Sequence, residues 1–182
     1  MTGAEVNPRI PYLPADLAEP AELVAAIRAR RGGALLNLDR MLLHSPPLAA
    51  GWNAYLRAVR GELALDPLLR ELAMCVVAVL NGADYEFHHH APEFVRAGGS
   101  DAQVIALRDP DAAARDETLF GARERAALAL TIAMTRGVQV SDAAFAAVRT
   151  HLPVRETVEL VAVIATYNMV SRFLVALGIA PE

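Results

Sequence analysis

The chain alternates between apolar stretches with helical spacing and short breaks. Within each stretch apolar residues recur three or four positions apart, and none shows the strict alternation of a half-buried strand. Glycine and proline pairs mark many of the breaks, as at Gly32-Gly33, Pro46-Pro47 and Gly98-Gly99. The pattern therefore predicts an all-α fold.

The breaks and capping residues also set the expected helix boundaries. Asp66-Pro67 is an N-cap followed by proline at the first helical position, and Ser100 with Gln103 fits a capping box. The predicted helices cover 21–31, 34–44, 45–62, 66–81, 83–97, a short piece from 100, 120–136, a short piece from 141, and 153–178. Residues 109–116 are predicted to be a polar loop.

The first twenty residues differ from the rest of the chain in carrying four closely spaced prolines, a spacing that excludes helix. They predict an extended N-terminal arm over 1–20, followed by a single helical domain over 21–182. We expect the arm to lie along its own bundle or a neighbour's. Its apolar residues are Val6, Ile10, Tyr12 and Leu13.

The chain is unusually apolar, with 54% hydrophobic residues and a mean hydropathy of +0.30. One subunit of this size cannot bury so much apolar surface, so we expect a homo-oligomer, a dimer or trimer. The longest apolar run, 72–80, falls short of the ~20 residues that span a bilayer. Without a signal peptide pattern, and with the single cysteine Cys75, the chain is expected to be cytoplasmic and not membrane-bound.

The charged residues exclude several function classes. The net charge is −4, and no dense arginine cluster is present, so nucleic acid is not an expected partner. All 17 basic residues are arginine, which removes Schiff-base chemistry and covalent attachment of pyridoxal phosphate. No glycine-rich phosphate loop is present.

The densest group of ionisable side chains lies between residues 70 and 90, with the sequence RELAMCVVAVLNGADYEFHHH. On a helix Glu86 and His90 are i,i+4 neighbours, and a carboxylate beside an imidazole makes a proton-transfer pair. The alternative is a solvated helix face. Because consecutive residues are rotated by ~100°, His88, His89 and His90 cannot all face one site.

This segment resembles the carboxymuconolactone decarboxylase / alkylhydroperoxidase D superfamily. That superfamily's signature is a glutamate, a Cys-x-x-Cys twelve residues later, and a histidine four residues after the second cysteine. Glu71 and His90 match its ends, whereas Ala83 and Glu86 occupy the cysteine positions. The segment 167–179, YNMVSRFLVALGI, is similar to the end of longer members. The resemblance implies an alkylhydroperoxidase D-like helical bundle of roughly seven to eight helices.

The departures from the signature bear on the reaction. Peroxide reduction in this superfamily needs a thiolate and a resolving thiol, and a single cysteine cannot supply both. Cys75 lies within an apolar run, where a thiol is usually inert core. We therefore expect negligible thiol peroxidase activity.

The position of Glu71 raises a question of geometry. In one straight helix it would lie roughly 22 Å from Glu86, too far to cooperate. A sharp bend at Asn81-Gly82 would return it toward Glu86 and His90. The alternative is that Glu71 pairs with an arginine across an interface.

The function that the residues and the resemblance favour is cofactor-independent acid–base chemistry on a small organic acid or lactone: decarboxylation, or a lyase or isomerase step. Glu86 and His90 would move the proton, and Glu71 would tune the histidine. The substrate contacts are predicted to be Tyr85, His89, Tyr167 and Asn168. The alternatives are a relic of an alkylhydroperoxidase-type oxidoreductase and a non-catalytic oligomeric binding scaffold.

A metal site is a further alternative, which the resemblance does not imply. Glu86 with His90, or His89 with Glu93, could each supply two ligands from one helix face. His44 and His151 are the other imidazoles that could complete such a site. We expect no metal and no other cofactor.

Overall fold

The computed structural model describes residues 8–182, and within them every regular element is an α-helix. This confirms the all-α prediction, although the ten helices exceed the expected seven to eight. The helices are α1 (Ala21–Arg31), α2 (Asn37–Leu42), α3 (Pro46–Gly61), α4 (Pro67–Asn81), α5 (Asp84–Arg96), α6 (Asp101–Ala106), α7 (Pro110–Ala113), α8 (Ala122–Arg136), α9 (Asp142–Arg149) and α10 (Val154–Leu177).

The predicted polar loop over 109–116 is wrong in part, because it contains the one-turn helix α7. Asp109 caps this helix by accepting a hydrogen bond from the backbone N–H of Ala112 at 3.1 Å. Pro110 follows at the first helical position, so the start signal is the same as at Asp66-Pro67. The second helix is also shorter than predicted, since it begins at Asn37 and not at 34.

The boundaries that rest on strong local signals are confirmed. Asp66 accepts a hydrogen bond from the N–H of Leu68 at 2.9 Å and starts α4. Ser100 and Gln103 form the expected capping box at the start of α6. Gly82 ends α4 with φ of 63°, a left-handed conformation that glycine adopts without a steric penalty.

The chain divides into two compact units. The first contains the described residues as far as Glu62 together with Leu174–Glu182. Residues 8–20 form no helix, as predicted, and lie along their own chain. The N–H of Arg9 donates to the carbonyl of Leu177 at 2.9 Å, and the hydroxyl of Tyr12 accepts from the N–H of Ala180 at 3.1 Å. Val6, part of the predicted arm, lies outside the described residues.

The second unit, Leu63–Phe173, is built around α4. This helix packs against α5, α7 and α8. Each of its eight residues from Glu71 to Ala78 is buried. Large side chains such as Phe94, Phe120 and Tyr167 complete the core, and each contributes about 1.5–3 kcal/mol by burial. A charged Glu71 at the end of this apolar stretch therefore needs compensating partners.

The last helix, α10, is long and apolar enough to cross a membrane by length and composition. Its most apolar window of 18 residues has a mean hydropathy of 1.8, and half of that window is buried inside the protein. The core helix of a soluble protein meets the same criteria, so the indication is weak. The sequence predicted this helix over 153–178 but gave it no long apolar run, because polar residues such as Glu159, Thr166 and Asn168 interrupt it.

Candidate functional site

The turn between α4 and α5 brings Glu71 and His90 together. Gly82 reverses the chain, and α5 then packs along α4. The side-chain amide of Asn81 donates to Asn168 on α10 at 3.1 Å, which fixes the end of α4 beside the turn. The predicted bend at Asn81-Gly82 is confirmed. Glu71 is therefore not separated from the residues of α5 along one straight helix, and it contacts His90.

Glu71 is held by two nitrogen-bearing side chains. Its Oε2 lies 2.7 Å from Nδ1 of His90, and its Oε1 accepts from Nε of Arg70 at 3.1 Å. The side chains of Glu71 and His90 are 6% and 13% exposed. The predicted approach of Glu71 to His90 is therefore confirmed, and its arginine partner is its neighbour on the same helix.

The surroundings of Glu71 act on its pKa in opposite directions. Burial, the largest effect, raises the pKa of Glu71 because it penalises the charged form. The hydrogen bond from His90, the charge of His90 and the charge of Arg70 together outweigh burial and hold the pKa below its usual value. Glu71 is therefore a carboxylate at neutral pH, and its oxygens accept hydrogen bonds.

The ionised Glu71 determines the tautomer of His90. A carboxylate oxygen 2.7 Å away requires Nδ1 to carry a proton and to donate it. In the neutral ring the lone pair then belongs to Nε2, the nitrogen that can take up a proton. The ring of Tyr167 packs edge-on against the imidazole, with centroids 4.9 Å apart at 86°. Tyr167 is fully buried, so it fixes the ring plane.

Glu86 has a partner that the sequence did not predict. The Ser171 hydroxyl on α10 donates to Oε2 of Glu86 in a short hydrogen bond, and also lies 2.8 Å from the backbone carbonyl of Tyr167. The described hydrogen bond of His90 is to Glu71, and the expected Glu86–His90 pair stays a prediction. Ser171 was missed, although it lies four residues after Tyr167 and therefore on the same helix face.

The other residues of α5 divide between core and surface. Tyr85 is buried, and its ring contacts His89 edge-on with centroids 4.4 Å apart. His88 is exposed, which confirms that the three histidines do not share one site. The roles of Tyr85 and His89 as substrate contacts stay predictions.

Asn168 belongs to a polar network inside the second unit. Its Nδ2 donates to Thr135 at 3.1 Å and to the carbonyl of Ile164 at 3.0 Å. Its Oδ1 accepts from Asn81 and from Arg172 at 2.9 Å. These bonds give Asn168 a structural task, and its predicted contact with substrate stays a prediction.

Cys75 is a core residue with no exposed surface. Burial is the largest effect that raises the pKa of this thiol, and the charge of Glu71 raises it further. A thiol in this state is a poor nucleophile. The structure thus supports the interpretation of Cys75 as inert core.

Within residues 8–182, no three His, Cys, Asp or Glu side chains are grouped so as to hold a metal ion. Of the imidazoles considered for such a site, His44 hydrogen-bonds the backbone carbonyl of Pro11 at 2.9 Å.

Solved structures share this arrangement of helices. A peroxidase-related protein from Ralstonia eutropha, described as an alkylhydroperoxidase AhpD core, superposes with a TM-score of 0.81 at 19% identity, covering 96% of this chain and 92% of its own. A peroxidase-related protein from Silicibacter sp. gives a TM-score of 0.76 at 21% identity, with coverages of 96% and 89%. A cysteine-to-alanine variant of the debrominase Bmp8, in complex with 2,3,4-tribromopyrrole, gives a TM-score of 0.77 at 18% identity. The match covers 100% of this chain and 93% of the debrominase chain. The fold is therefore alkylhydroperoxidase D-like.

A sequence match to a protein family agrees with this fold. Residues 46–133 match the model of the carboxymuconolactone decarboxylase family, a segment that includes Glu71, Glu86 and His90. This match covers slightly less than half of the chain and, with the shared fold, makes the chain similar to the carboxymuconolactone decarboxylase / alkylhydroperoxidase D-like superfamily. No curated protein sequence matches the chain.

Proposed function

We propose that this protein is a carboxymuconolactone decarboxylase-like enzyme that performs acid–base chemistry without a cofactor on a small organic acid or lactone. The observation that carries the proposal is the 2.7 Å contact between Nδ1 of His90 and the buried carboxylate of Glu71. A carboxylate that accepts Nδ1–H orients the imidazole and stabilises its protonated form. His90 is the proton carrier in this scheme, and Glu71 is its positioning residue.

Glu86 remains in the proposal as a second acid–base group. It is 2% exposed and hydrogen-bonded to a neutral hydroxyl, so its environment differs from that of Glu71. Two titratable groups in unlike environments can divide the tasks of acid and base between them. An isomerisation needs one group to remove a proton and another to return it, whereas a decarboxylation needs an acid to protonate the carbon that loses carbon dioxide.

The chemistry at the two cysteine positions favours proton transfer over peroxide reduction. Ala83 has no nucleophile, Glu86 is a carboxylate, and Cys75 is buried with a raised pKa. A dithiol cycle needs an accessible thiolate and a second thiol. The substrate class that we propose is therefore one that reacts by losing or moving a proton or carbon dioxide.

The test is a screen of the purified protein against small lactones, 2-oxo acids and unsaturated dicarboxylic acids, with 2,3,4-tribromopyrrole included because a protein of the same fold binds it. For any substrate found, His90→Gln and Glu71→Gln should lower kcat/KM by ~10²–10⁴-fold, the usual contribution of acid–base catalysis. His88→Gln is the matched control, since His88 lies on the same helix and is exposed.

Activity that survives in His90→Gln, or that is lost equally in His88→Gln, would contradict the proposal. Turnover of hydroperoxides by a dithiol reductant would favour the oxidoreductase alternative. Failure to bind or convert any small acid or lactone would favour the scaffold.

We further propose that the chain acts in the cytoplasm as a homo-oligomer, as its apolar composition predicts. Valines of α10 support self-association, since Val154 and Val158 are 65% and 62% exposed. Light scattering at micromolar concentration measures the mass directly. A stable monomer would overturn this part of the proposal.

A further inference from the structure

The first compact unit contains an open cavity whose charged lining residues are arginines. It has a volume of about 220 Å³ and is bordered by Arg30, Asn53, Leu56, Arg57, Arg60 and Gly61. Three of these six residues carry a guanidinium group, and none carries a carboxylate. The protein as a whole has a net charge of −4, so this concentration of positive charge runs against the overall balance.

Two helices build this arginine cavity. Asn53, Leu56, Arg57 and Arg60 follow the spacing i, i+3, i+4, i+7 and so share one face of α3. Arg30 comes from the last turn of α1. Both helices end close to the cavity, and the negative ends of their dipoles stabilise the arginines before any ligand arrives.

Arg30 is fixed in place before any ligand binds. Its Nη2 donates to Oδ1 of Asn53 at 2.6 Å and lies 3.3 Å from Oδ1 of Asp39. Asn53 in turn donates to the carbonyl of Ala49 at 2.7 Å, which holds its amide in one orientation. A guanidinium whose position is fixed loses little conformational entropy when it binds an anion.

The carboxylates that contact Arg30 and Arg57 are shared or only weakly paired. Asp39 is shared, because Arg30 and Arg31 both contact it at 3.3 Å and 3.0 Å. Arg57 pairs with Glu62 at 3.5 Å, where both side chains are largely exposed and the interaction is weak. Burial, and then repulsion from Arg31 and Arg60, lower the pKa of Arg30 in spite of Asp39. Added negative charge would relieve that repulsion.

We propose that the arginine cavity binds a small dianion, either a phosphate group or a dicarboxylate. Guanidinium groups match the paired oxygens of both ligands. The volume lies below the range of ~300–1,000 Å³ for drug-sized ligands, which limits the ligand to a compact molecule. This site is separate from the His90 site and does not depend on the function proposed for it.

Calorimetric titration of the full chain at mildly alkaline pH and constant ionic strength tests the proposal. The probes are inorganic phosphate, succinate and the monoanion acetate. We expect saturable binding of at least one dianion and much weaker binding of acetate. Whichever of phosphate and succinate binds more tightly identifies the ligand class, a phosphate group or a dicarboxylate.

Variants locate the binding. Arg57→Gln and Arg60→Gln should each raise the Kd of the dianion about tenfold, which corresponds to about 1.4 kcal/mol of binding free energy. Arg96→Gln removes an exposed arginine outside the cavity, and His90→Gln alters the other site, so both should bind as the wild type does. Arg57 is 71% exposed, so its replacement is expected to leave the fold intact, as circular dichroism would verify.

Three results would overturn the proposal. They are the absence of saturable binding, equal affinity for acetate and the dianions, and unchanged affinity in both cavity variants. Binding that is lost in His90→Gln but kept in Arg57→Gln would place the anion at the other site and would also overturn it.

Discussion

Glu71 and Glu86 are two carboxylates with nearly equal burial and unlike partners. They are 5% and 2% exposed, and both belong to the pair of helices α4 and α5. Glu71 contacts an imidazole and a guanidinium, whereas the described hydrogen bond of Glu86 comes from the neutral hydroxyl of Ser171. Two buried carboxylates in one small region therefore have different described hydrogen-bond partners.

The difference shows how partners, and not burial alone, determine what a buried acid does. Burial raises the pKa of Glu71, yet its partners more than compensate and keep it ionised. An ionised Glu71 fixes the tautomer of His90. A hydroxyl supplies one hydrogen bond and no charge, so Ser171 positions Glu86 without placing a charge beside it.

The largest expected effect is on stability when each carboxylate is neutralised. Glu71→Gln removes the charge that compensates His90 and Arg70, and we expect it to cost about 1–3 kcal/mol of unfolding free energy. Glu86→Gln keeps an oxygen that can accept from Ser171, and we expect a loss below about 1 kcal/mol. Urea unfolding of the three proteins measures both values, and a larger loss for Glu86→Gln would reverse the comparison.

An effect of intermediate size is expected on the stability of the folded protein at acidic pH. Because the folded pKa of Glu71 lies below its unfolded value of 4.5, the unfolded state binds the extra proton first as pH falls. The stabilisation is complete above pH 4.5 and is lost as pH drops through the folded pKa. Glu71→Gln should lack this part of the acid-induced loss.

Unfolding curves of the wild type and Glu71→Gln across that pH range measure this acid-induced loss of stability. Asp142→Asn is the control, since Asp142 is an exposed acid. An identical decline in the wild type and in Glu71→Gln would show that Glu71 is not held ionised by its partners.

The smallest expected effect is on the reactivity of the Cys75 thiol, whose pKa is raised by the charges of both carboxylates. The charge of Glu71 raises the pKa of this thiol more than the charge of Glu86 does. Native labelling with iodoacetamide should be very slow, and Glu71→Gln should speed it more than Glu86→Gln, each by less than about tenfold. Fast labelling of the native wild type would contradict the assignment of Cys75 to the core.

The features that the sequence predicted well are helix ends that depend on residues close together along the chain. Asp66-Pro67, Asn81-Gly82 and the capping box at Ser100 act locally, and each helix end lies where its signal predicts. The overlooked start of α7 was also local, since Asp109-Pro110 repeats the signal at Asp66. The signature spacing likewise selected Glu71, Glu86 and His90 together.

The distances within the site could not be read from spacing alone. The predicted bend allowed Glu71 to approach His90, nineteen positions later, but their contact depends on the packing of α5 on α4. Ser171 reaches Glu86 across 85 positions of sequence. The arginine cavity is a similar case, since the periodic face of α3 is visible in the sequence but its partner Arg30 is not.

The measurement that tests the central claim most directly is an NMR titration of the His90 imidazole in the wild type, Glu71→Gln and Glu86→Gln. An opposite charge in contact with an imidazole favours its protonated form, by about 1–3 pKa units at this distance. We predict that the titration midpoint of His90 falls by about one unit or more in Glu71→Gln, and that it falls less in Glu86→Gln. An unchanged midpoint in Glu71→Gln, or a larger shift in Glu86→Gln, would contradict the assignment of Glu71 as the partner of His90.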